Sequence, residues 1–476
     1  MPNTELVGRR AVRVSGLVGA LLLVGGCASL SPAPTGHPTA LAAQVTWASG
    51  GGAVDRSERR AQPAAWFRTP LLDELMAAAL RAAPDLRTAQ ARLAESRARR
   101  ALAEAQFSPS VSWSGSVARS DSGGSSVSGS GGRTVYDAGF DASWELDAFG
   151  RLGAGARAAE ADEQAAAAAL EDARVTLLAE VARRYAEIAV LQQRLVLAER
   201  SLQNQQALFE IAGWRTQSGL ASSLDSAQSR TALEQARAQI PALQATLAQS
   251  RQSLAVLIGS TPDALDARLA APLAWPDLPE RPAVGVPAEA LRQRADVRQA
   301  EHQFLAEVAR TDQARAAMFP RVSLSASLGW QALTLSALTG GQAAAASLAA
   351  QIGGTLFDGG RLRAQWQVQG AAQERAAVAY EQAALAALGD VESAISAWQG
   401  ARDRAARLAD AAASARDAAE LARIGYRSGL TDVTQVLETE RSLQSIEDSL
   451  ASSRGDAWAG LIRLYKGLGG AWASAS

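Results

Sequence analysis

The pattern of hydrophobic and polar positions along this chain changes between two periods. Two segments in the first half and two in the second alternate apolar with polar residues, as strands with one apolar face do. Alternation over about ten residues is typical of a transmembrane β-strand that faces lipid on one side and a lumen on the other. Two ordinary hairpins packed on a soluble core are the alternative. The apolar positions are Val111 to Val117, Tyr136 to Leu146, Val322 to Trp330 and Leu348 to Leu356.

Elsewhere the apolar spacing is helical. Residues 71–105 predict a helical region that Pro84 interrupts. Helices are also predicted at roughly 153–214 and 220–258, and again at 362–424 and 430–466, as two helical hairpins. Pro241 is expected to kink or reorganise the second of these helices. The predicted helix at 153–214 carries a heptad seam typical of a coiled coil, formed by Leu178, Val181, Tyr185, Ile188 and Leu195.

The same landmarks occur twice along the chain, in the same order. Their separation is 211 residues for the first two pairs and 210 for the last two. A repeat of this length is too long for a solenoid, so it indicates a duplicated half-molecule. Each half then supplies one β-hairpin and one long helical hairpin. The paired landmarks are Asp85 and Asp296, Pro109 and Pro320, Arg151 and Arg361, and Gly219 and Gly429.

The number of predicted strands sets a constraint on assembly. No run reaches about 18 uninterrupted apolar residues, so any crossing of a bilayer falls to the strands, which must form a closed barrel. A membrane barrel needs at least about eight strands. If the four strands of this chain are transmembrane, the chain must therefore oligomerise.

The N-terminus carries an export signal. Residues 1–26 have three early arginines followed by an apolar stretch, which is the organisation of a signal peptide. The run from Leu23 to Cys27 resembles the bacterial lipoprotein box, in which the cysteine becomes the lipid-modified N-terminus. We therefore expect acylation of Cys27, including palmitate; an incidental buried thiol is the alternative. Residues 27–66 are predicted to be a linker that follows the lipid anchor.

Composition narrows the classes of function. The chain has 476 residues, of which 48% are hydrophobic but only 5% aromatic, a mixture that favours long helices over a compact core. Its formal net charge of −1 does not suggest a nucleic-acid partner. The two histidines, His37 and His302, are far apart, and no catalytic or metal-ligating set is evident. We expect no enzymatic activity, no metal and no cofactor other than the lipid on Cys27.

Three motifs carry a resemblance to a known family. They are the segments Trp144 to Arg151, Ala290 to Glu301 and Leu464 to Trp472. Together they resemble the outer membrane efflux proteins, the TolC-type outer membrane factors, and among them the NodT-like lipoprotein subgroup. The resemblance covers nearly all of residues 66–472. It departs from the family pattern at Ala295, where proline is common, and at Gly467 and Ala471.

The resemblance implies a fold that combines an all-α coiled-coil barrel with a transmembrane β-barrel. In such a homotrimer each chain gives four strands to a 12-stranded barrel, and the helices form a periplasmic tunnel. The implied domains are a first repeat at 67–259, a Pro-rich connector at 260–288 and a second repeat at 289–472. The hairpins within them fall at about 110–147 and 153–258, and at about 321–357 and 362–466.

The function implied by the resemblance is the outer-membrane exit channel of a tripartite efflux pump. Such a channel passively conducts drugs and other organic solutes, which links it to multidrug resistance. Its partners would be a periplasmic adaptor and an inner-membrane transporter of the resistance-nodulation-division type. The alternatives are a duct for heavy metals or for type I protein secretion, and, from another class, a lipid-anchored periplasmic coiled-coil scaffold without a pore.

Two sets of residues acquire expected roles. The tips of the helical hairpins would face the adaptor, although Gly219 and Gly429 also suit left-handed turn geometry on their own. The expected tip residues are Arg215, Gly219, Leu220, Arg427, Gly429 and Leu430.

The second set is a periplasmic gate. By alignment with the family pattern from Gly429 to Arg441, Thr434 replaces a gate leucine and Glu438 takes the place of a gate aspartate. Asp225 is the candidate in the first repeat. Three Glu438 carboxylates near one axis would raise one another's pKa and repel, which favours opening or cation binding. The alternative for Glu438 is a solvated carboxylate, paired for example with Arg441.

Overall fold

A computed structural model describes residues 69–120, 133–273, 287–338 and 344–470, with positions 279, 281, 282 and 284. All of them belong to one compact unit, Val45–Ser476. The predicted signal peptide, the lipidated Cys27 and the linker to residue 66 lie outside the described residues, as do the loops at 121–132 and 339–343.

Nine helices and four strands make up the described part of the chain. The first repeat contains α1 (Pro70–Ala82), α2 (Pro84–Ala105), β1 (Ser110–Ser120), β2 (Arg133–Leu146), α3 (Arg151–Gln217) and α4 (Ser223–Leu257). The second contains α5 (Pro287–Gln293), α6 (Ala295–Ala316), β3 (Arg321–Ala332), α7 (Leu335–Leu338), β4 (Ala344–Gly353), α8 (Arg361–Arg427) and α9 (Val433–Gly467). The short helix α7 has no equivalent in the sequence prediction.

The lengths of the helices confirm the duplication. The helices α3 and α8 both have 67 residues, and α4 and α9 both have 35. The helices α2 and α6 both have 22 residues. At ~1.5 Å per residue, α3 and α8 are each about 100 Å long. The helix α4 continues past Pro241, from Ser223 to Leu257, so the proline does not break the helix although it cannot donate a backbone hydrogen bond.

The four strands form one antiparallel sheet in the order β1-β2-β3-β4. The register places apolar residues opposite apolar residues: Trp113 faces Phe140, and Phe140 faces Leu328. This register confirms the predicted alternation, with one apolar and one polar face. The strand β4 ends at Gly353, earlier than predicted, and Gly354 packs against Pro320.

An aspartate starts each long helix immediately after the sheet. Asp147 accepts hydrogen bonds from the backbone N–H groups of Leu152 and Gly153, at 2.9 and 2.7 Å. Asp358 does the same for Gly360 and Leu362, both at 2.9 Å. The hydrogen bond from Leu362 is the main reason that the pKa of Asp358 lies below its usual value. Since the first N–H groups of a helix have no partner within it, these aspartates fix where α3 and α8 begin.

The main hydrophobic core lies where α1 and the C-terminal ends of α4 and α9 meet the middle of the long helices α3 and α8. Its fully buried side chains include Leu72 and Leu75 of α1, Ile188 of α3, Leu254 of α4, Trp398 of α8 and Leu461 of α9. The helices α8 and α9 approach each other closely at Gly460, where an added Cβ would lie 2.9 Å from the Cα of Trp398. The predicted seam of α3 is confirmed: Leu178, Val181, Tyr185 and Ile188 are buried, and Leu195 is partly buried against the same core.

The connector between the repeats is docked onto α3 by one glutamine. The Gln192 side chain is buried, donates to the carbonyl oxygens of Leu269 and Ala271, and accepts from the backbone N–H of Leu273. Leu265 and Leu269 of the connector are buried in the main core. The proline-rich sequence indicated a connector but not this attachment.

None of the helices within the described ranges is long and apolar enough to cross a membrane.

Arg294, between α5 and α6, ties the start of the second repeat to its end. Its guanidinium donates to both carboxylate oxygens of Asp296, at 2.9 and 2.6 Å, and to Asp390 of α8 at 3.0 Å. It also donates to the carbonyl oxygen of Gly467, at the end of α9. Burial raises the pKa of Asp296, but hydrogen bonds and charge from Arg294 outweigh it and hold that pKa below its usual value.

Replacing Arg294 with methionine is expected to destabilise the protein by about 2 kcal/mol, because several charge-assisted hydrogen bonds are lost while the carboxylates remain partly hydrated. Thermal unfolding followed by circular dichroism measures the change. A lowered folded-state pKa of Asp296 stabilises the protein above its usual pKa of 3.8, so the advantage over Arg294→Met should shrink as the pH falls below that value. Arg298→Met, at an exposed position of α6, is the control. Equal stability of both variants would contradict this role.

Candidate functional site: the turns of the two helical hairpins

Each helical hairpin turns at a glycine in the left-handed conformation. Gly219 has a φ of 69° and Gly429 a φ of 76°. The residue after each glycine donates its backbone N–H back into the preceding helix, Leu220 to Arg215 and Leu430 to Gly425, both at 2.8 Å. This hydrogen bond is the C-terminal capping arrangement for which glycine is preferred. The predicted turn geometry of both glycines is confirmed.

The helices that leave the turns are capped differently in the two repeats. In the first, the Asp225 N–H donates to the Ser222 hydroxyl, and the Asp225 carboxylate accepts from the Ser222 N–H, which forms a capping box. In the second, Asp432 itself is the N-cap and accepts from Gln435. The Asp225 carboxylate thus has a structural role at the start of α4, which the gate prediction did not include.

The ends of the hairpins expose apolar side chains. Leu220 is 71% exposed and Leu430 is 82% exposed, and Trp214 is also largely exposed. Arg427 is exposed beside them. Contact of these residues with an adaptor stays a prediction.

Arg215 differs from the other predicted tip residues because it contacts the second hairpin. It donates through Nη1 to the carbonyl oxygen of Tyr426, and its guanidinium carbon lies 4.7 Å from the centre of the Tyr426 ring. A guanidinium over an aromatic ring is a cation–π contact. Burial raises the pKa of the Tyr426 hydroxyl. The positive charge of Arg215 lowers this pKa, and the negative charge of Asp225 raises it further, so the pKa lies above its usual value. Arg215 therefore joins the turn of the first hairpin to the last turn of α8.

A buried carboxylate connects three helices above the turns. Glu440 of α9 is 5% exposed and accepts from Nε of Arg423 in α8. Its other oxygen lies 3.5 Å from the side-chain amide nitrogen of Asn204 in α3. The gate prediction did not include Glu440. Glu440 follows Val433, Val436 and Leu437 at helical spacing, and these three residues are buried. That spacing would have predicted from the sequence that Glu440 is buried.

Thr434 and Glu438 lie side by side on α9, both exposed and away from that seam. The Thr434 hydroxyl is 3.5 Å from the side-chain oxygen of Gln228 in α4. Gln228 precedes Glu438 by the repeat distance of 210 residues, so Gln228, and not Asp225, is its equivalent in the first repeat. Within the described part of the chain Glu438 forms no ion pair, so the pairing with Arg441 named in the alternative interpretation is absent there. The gate role of Thr434, Glu438 and Asp225 stays a prediction.

Comparison with known proteins identifies the fold and the relatives of this chain. A toluene efflux pump outer membrane protein of Pseudomonas putida, TtgI, is 31% identical over 469 residues, covering 95% of this chain and 97% of the relative. The pyoverdine export outer membrane protein OpmQ of Pseudomonas putida is 32% identical over 416 residues, covering 85% and 87%.

Solved structures agree with these relatives. The outer-membrane channel OprN superimposes with a TM-score of 0.85 at 31% identity, covering 94% of this chain and 100% of that one. The outer membrane protein VceC of Vibrio cholerae superimposes with a TM-score of 0.77 at 26% identity, covering 84% and 96%.

The family description that matches the chain is that of the outer membrane efflux protein. It matches twice, at residues 75–260 and 286–470, so that each match contains one of the two hairpin turns. The chain therefore belongs to the outer membrane efflux protein family.

Proposed function

We propose that this protein is the outer-membrane exit channel of a tripartite efflux pump, assembled from three copies and passively conducting small organic molecules out of the periplasm. The observation that carries the proposal is a four-stranded sheet with one apolar face that continues directly into helices about 100 Å long. A sheet of this kind suits a membrane, and helices of this length suit a duct beneath it.

The apolar face of the sheet is exposed to the surroundings of the chain. Trp113 is 80% exposed, and Val111, Leu348 and Ile352 are also largely exposed. Exposing aromatic and aliphatic side chains to water is unfavourable, whereas contact with hydrocarbon is favourable. This face supports insertion in the outer membrane and argues against a poreless coiled-coil scaffold.

The open edges of the sheet support the trimer. The outer edges of β1 and β4 have no strand partner within the described chain, and unpaired backbone groups are costly in lipid. Pairing β1 of one copy with β4 of the next removes both edges. Three copies then supply twelve strands, which is sufficient for a closed membrane barrel.

The relatives support small organic molecules as the substrate class. Two of them are named for export of pyoverdine and of toluene. No observation on this chain favours heavy metals or secreted proteins. The exposed ends of the hairpins support docking of a periplasmic adaptor, with an inner-membrane transporter of the resistance-nodulation-division type beyond it. Lipid attachment at Cys27 would add an anchor in the outer membrane.

Purified protein is expected to form ion-conducting channels in planar lipid bilayers. A cation bound between three Glu438 carboxylates would hold the native channel closed, and Glu438→Ala removes that binding. This variant is therefore measured beside the native protein, and at least the variant should conduct. Chemical crosslinking should give a trimer as the largest species. Absence of conductance from both proteins would reject the channel. Crosslinking that gives a dimer as the largest species would reject the trimer.

Replacing Glu438 with glutamine is expected to weaken the binding of multivalent cations by about tenfold, because three carboxylates near one axis would no longer be charged. Block of bilayer currents by a trivalent cation, added on the periplasmic side, measures this change. Glu420→Gln, at an exposed position on α8, is the matched control and should behave as the native channel does. Equal block of native and Glu438→Gln channels would place Glu438 outside the gate.

Replacing Cys27 with serine is expected to remove the lipid. Metabolic labelling with radioactive palmitate should label the native protein and leave the variant unlabelled. Labelling of both proteins, or of neither, would contradict acylation at Cys27.

A further inference from the structure

A polar cavity of about 520 Å³ lies where the sheet meets the helices. The ends of α2 and α6, the starts of α3 and α8 and the first residue of β3 line it. Its charged lining residues are four arginines and one aspartate: Arg151, Arg310, Arg321, Arg361 and Asp162. A cavity of this volume can hold a drug-sized molecule.

Two of the four arginines are neutralised by neighbours. Arg151 forms an ion pair with Glu145, in which Nη2 of the arginine lies 2.8 Å from Oε1 and 2.9 Å from Oε2 of the glutamate. Arg310 pairs with Asp162 at 2.5 Å. Arg321 and Arg361 form no ion pair with any residue in the described part of the chain, although the charge of Arg361 acts on the nearby Asp358. The cavity therefore offers two guanidinium groups to a ligand.

The strand register places this cavity at the foot of the polar face of the sheet. Arg321 precedes Ser323 by two residues, so the two lie on the same face, and Glu145 lies opposite Ser323. The next acidic residue on this face, Asp141, is opposite Ser327, six residues from Arg321 and thus ~20 Å along the strand at ~3.3 Å per residue. Over that distance its charge is largely screened at physiological salt.

We propose that this cavity binds small organic anions that carry carboxylate groups, as a site on the export path. The guanidinium groups of Arg321 and Arg361 can each donate two parallel N–H hydrogen bonds to one carboxylate. This bidentate arrangement is the one in which a guanidinium binds a carboxylate most strongly. Gln313 and Gln365 also line the cavity and add donors and acceptors for hydroxyl groups. The place of the site on the export path rests on the proposed channel function, whereas the binding itself needs only one chain.

Citrate is the probe, because it carries three carboxylates and a hydroxyl group and fits the cavity. Isothermal titration calorimetry on the purified full-length protein should show citrate binding. In the double variant Arg321→Gln with Arg361→Gln, binding should weaken by about tenfold or more, since two charge-assisted contacts are lost. Arg363→Gln is the matched control, because Arg363 is an exposed arginine in the same turn of α8 that does not line the cavity. It should bind citrate as the native protein does.

Citrate binding that is absent in the native protein, or unchanged in the double variant, would overturn the site. Circular dichroism confirms folding of each variant, and Arg321→Gln alone replaces the double variant if that protein does not fold. Bilayer conductance is measured on the same preparations. Conduction without citrate binding rejects the site and leaves the channel function intact, whereas citrate binding together with no conductance from either the native protein or Glu438→Ala supports the site and rejects the channel function.

Discussion

A helix of 67 residues must be packed along its whole length, because the intrinsic preference for helix is too weak to hold it in water by itself. In this protein the packing comes mostly from small side chains. The buried residues of the first half of α3 are largely alanines, and α8 buries alanine at many of its seam positions. Small residues let neighbouring helices approach closely, and large ones such as Trp398 are concentrated in the main core. The buried alanines along the helices and the large side chains of the main core together supply the packing that helices of this length require.

The duplicated halves share their framework but differ in their polar contacts. Both long helices begin at an aspartate that follows the sheet, and both end at a left-handed glycine. Beyond the turns the repeats diverge: Asp225 caps α4 through a capping box, whereas Asp432 is the N-cap of α9. Glu438 in one repeat corresponds to Gln228 in the other. The two repeats can thus supply the same arrangement of helices while only the second repeat carries the negative charge of Glu438.

Charged side chains are unevenly distributed among the elements of the molecule. The polar face of β2 carries Asp137 and Asp141, and arginines collect where the sheet meets the helices. Near the turns the carboxylates return, with Glu438 exposed and Glu440 buried against Arg423. These charged groups thus lie at three different places in the fold: carboxylates on β2, arginines at the junction of sheet and helices, and carboxylates again near the turns.

The sequence by itself determined the elements of this fold and their duplication. Alternation of period two and the heptad seam of Leu178 to Ile188 are local patterns, and the constant repeat distance placed both turns at Gly219 and Gly429. Contacts between residues far apart were decided only by the tertiary structure. Arg215 reads in sequence as a solvent-facing tip residue, yet it lies on Tyr426, and Gln192 gives no sign that it anchors the connector. Arg321 and Arg361 come together in the cavity only through packing of the sheet on the helices. Periodicity reports which face of an element is buried, but a polar side chain finds its partner through the packing of whole elements.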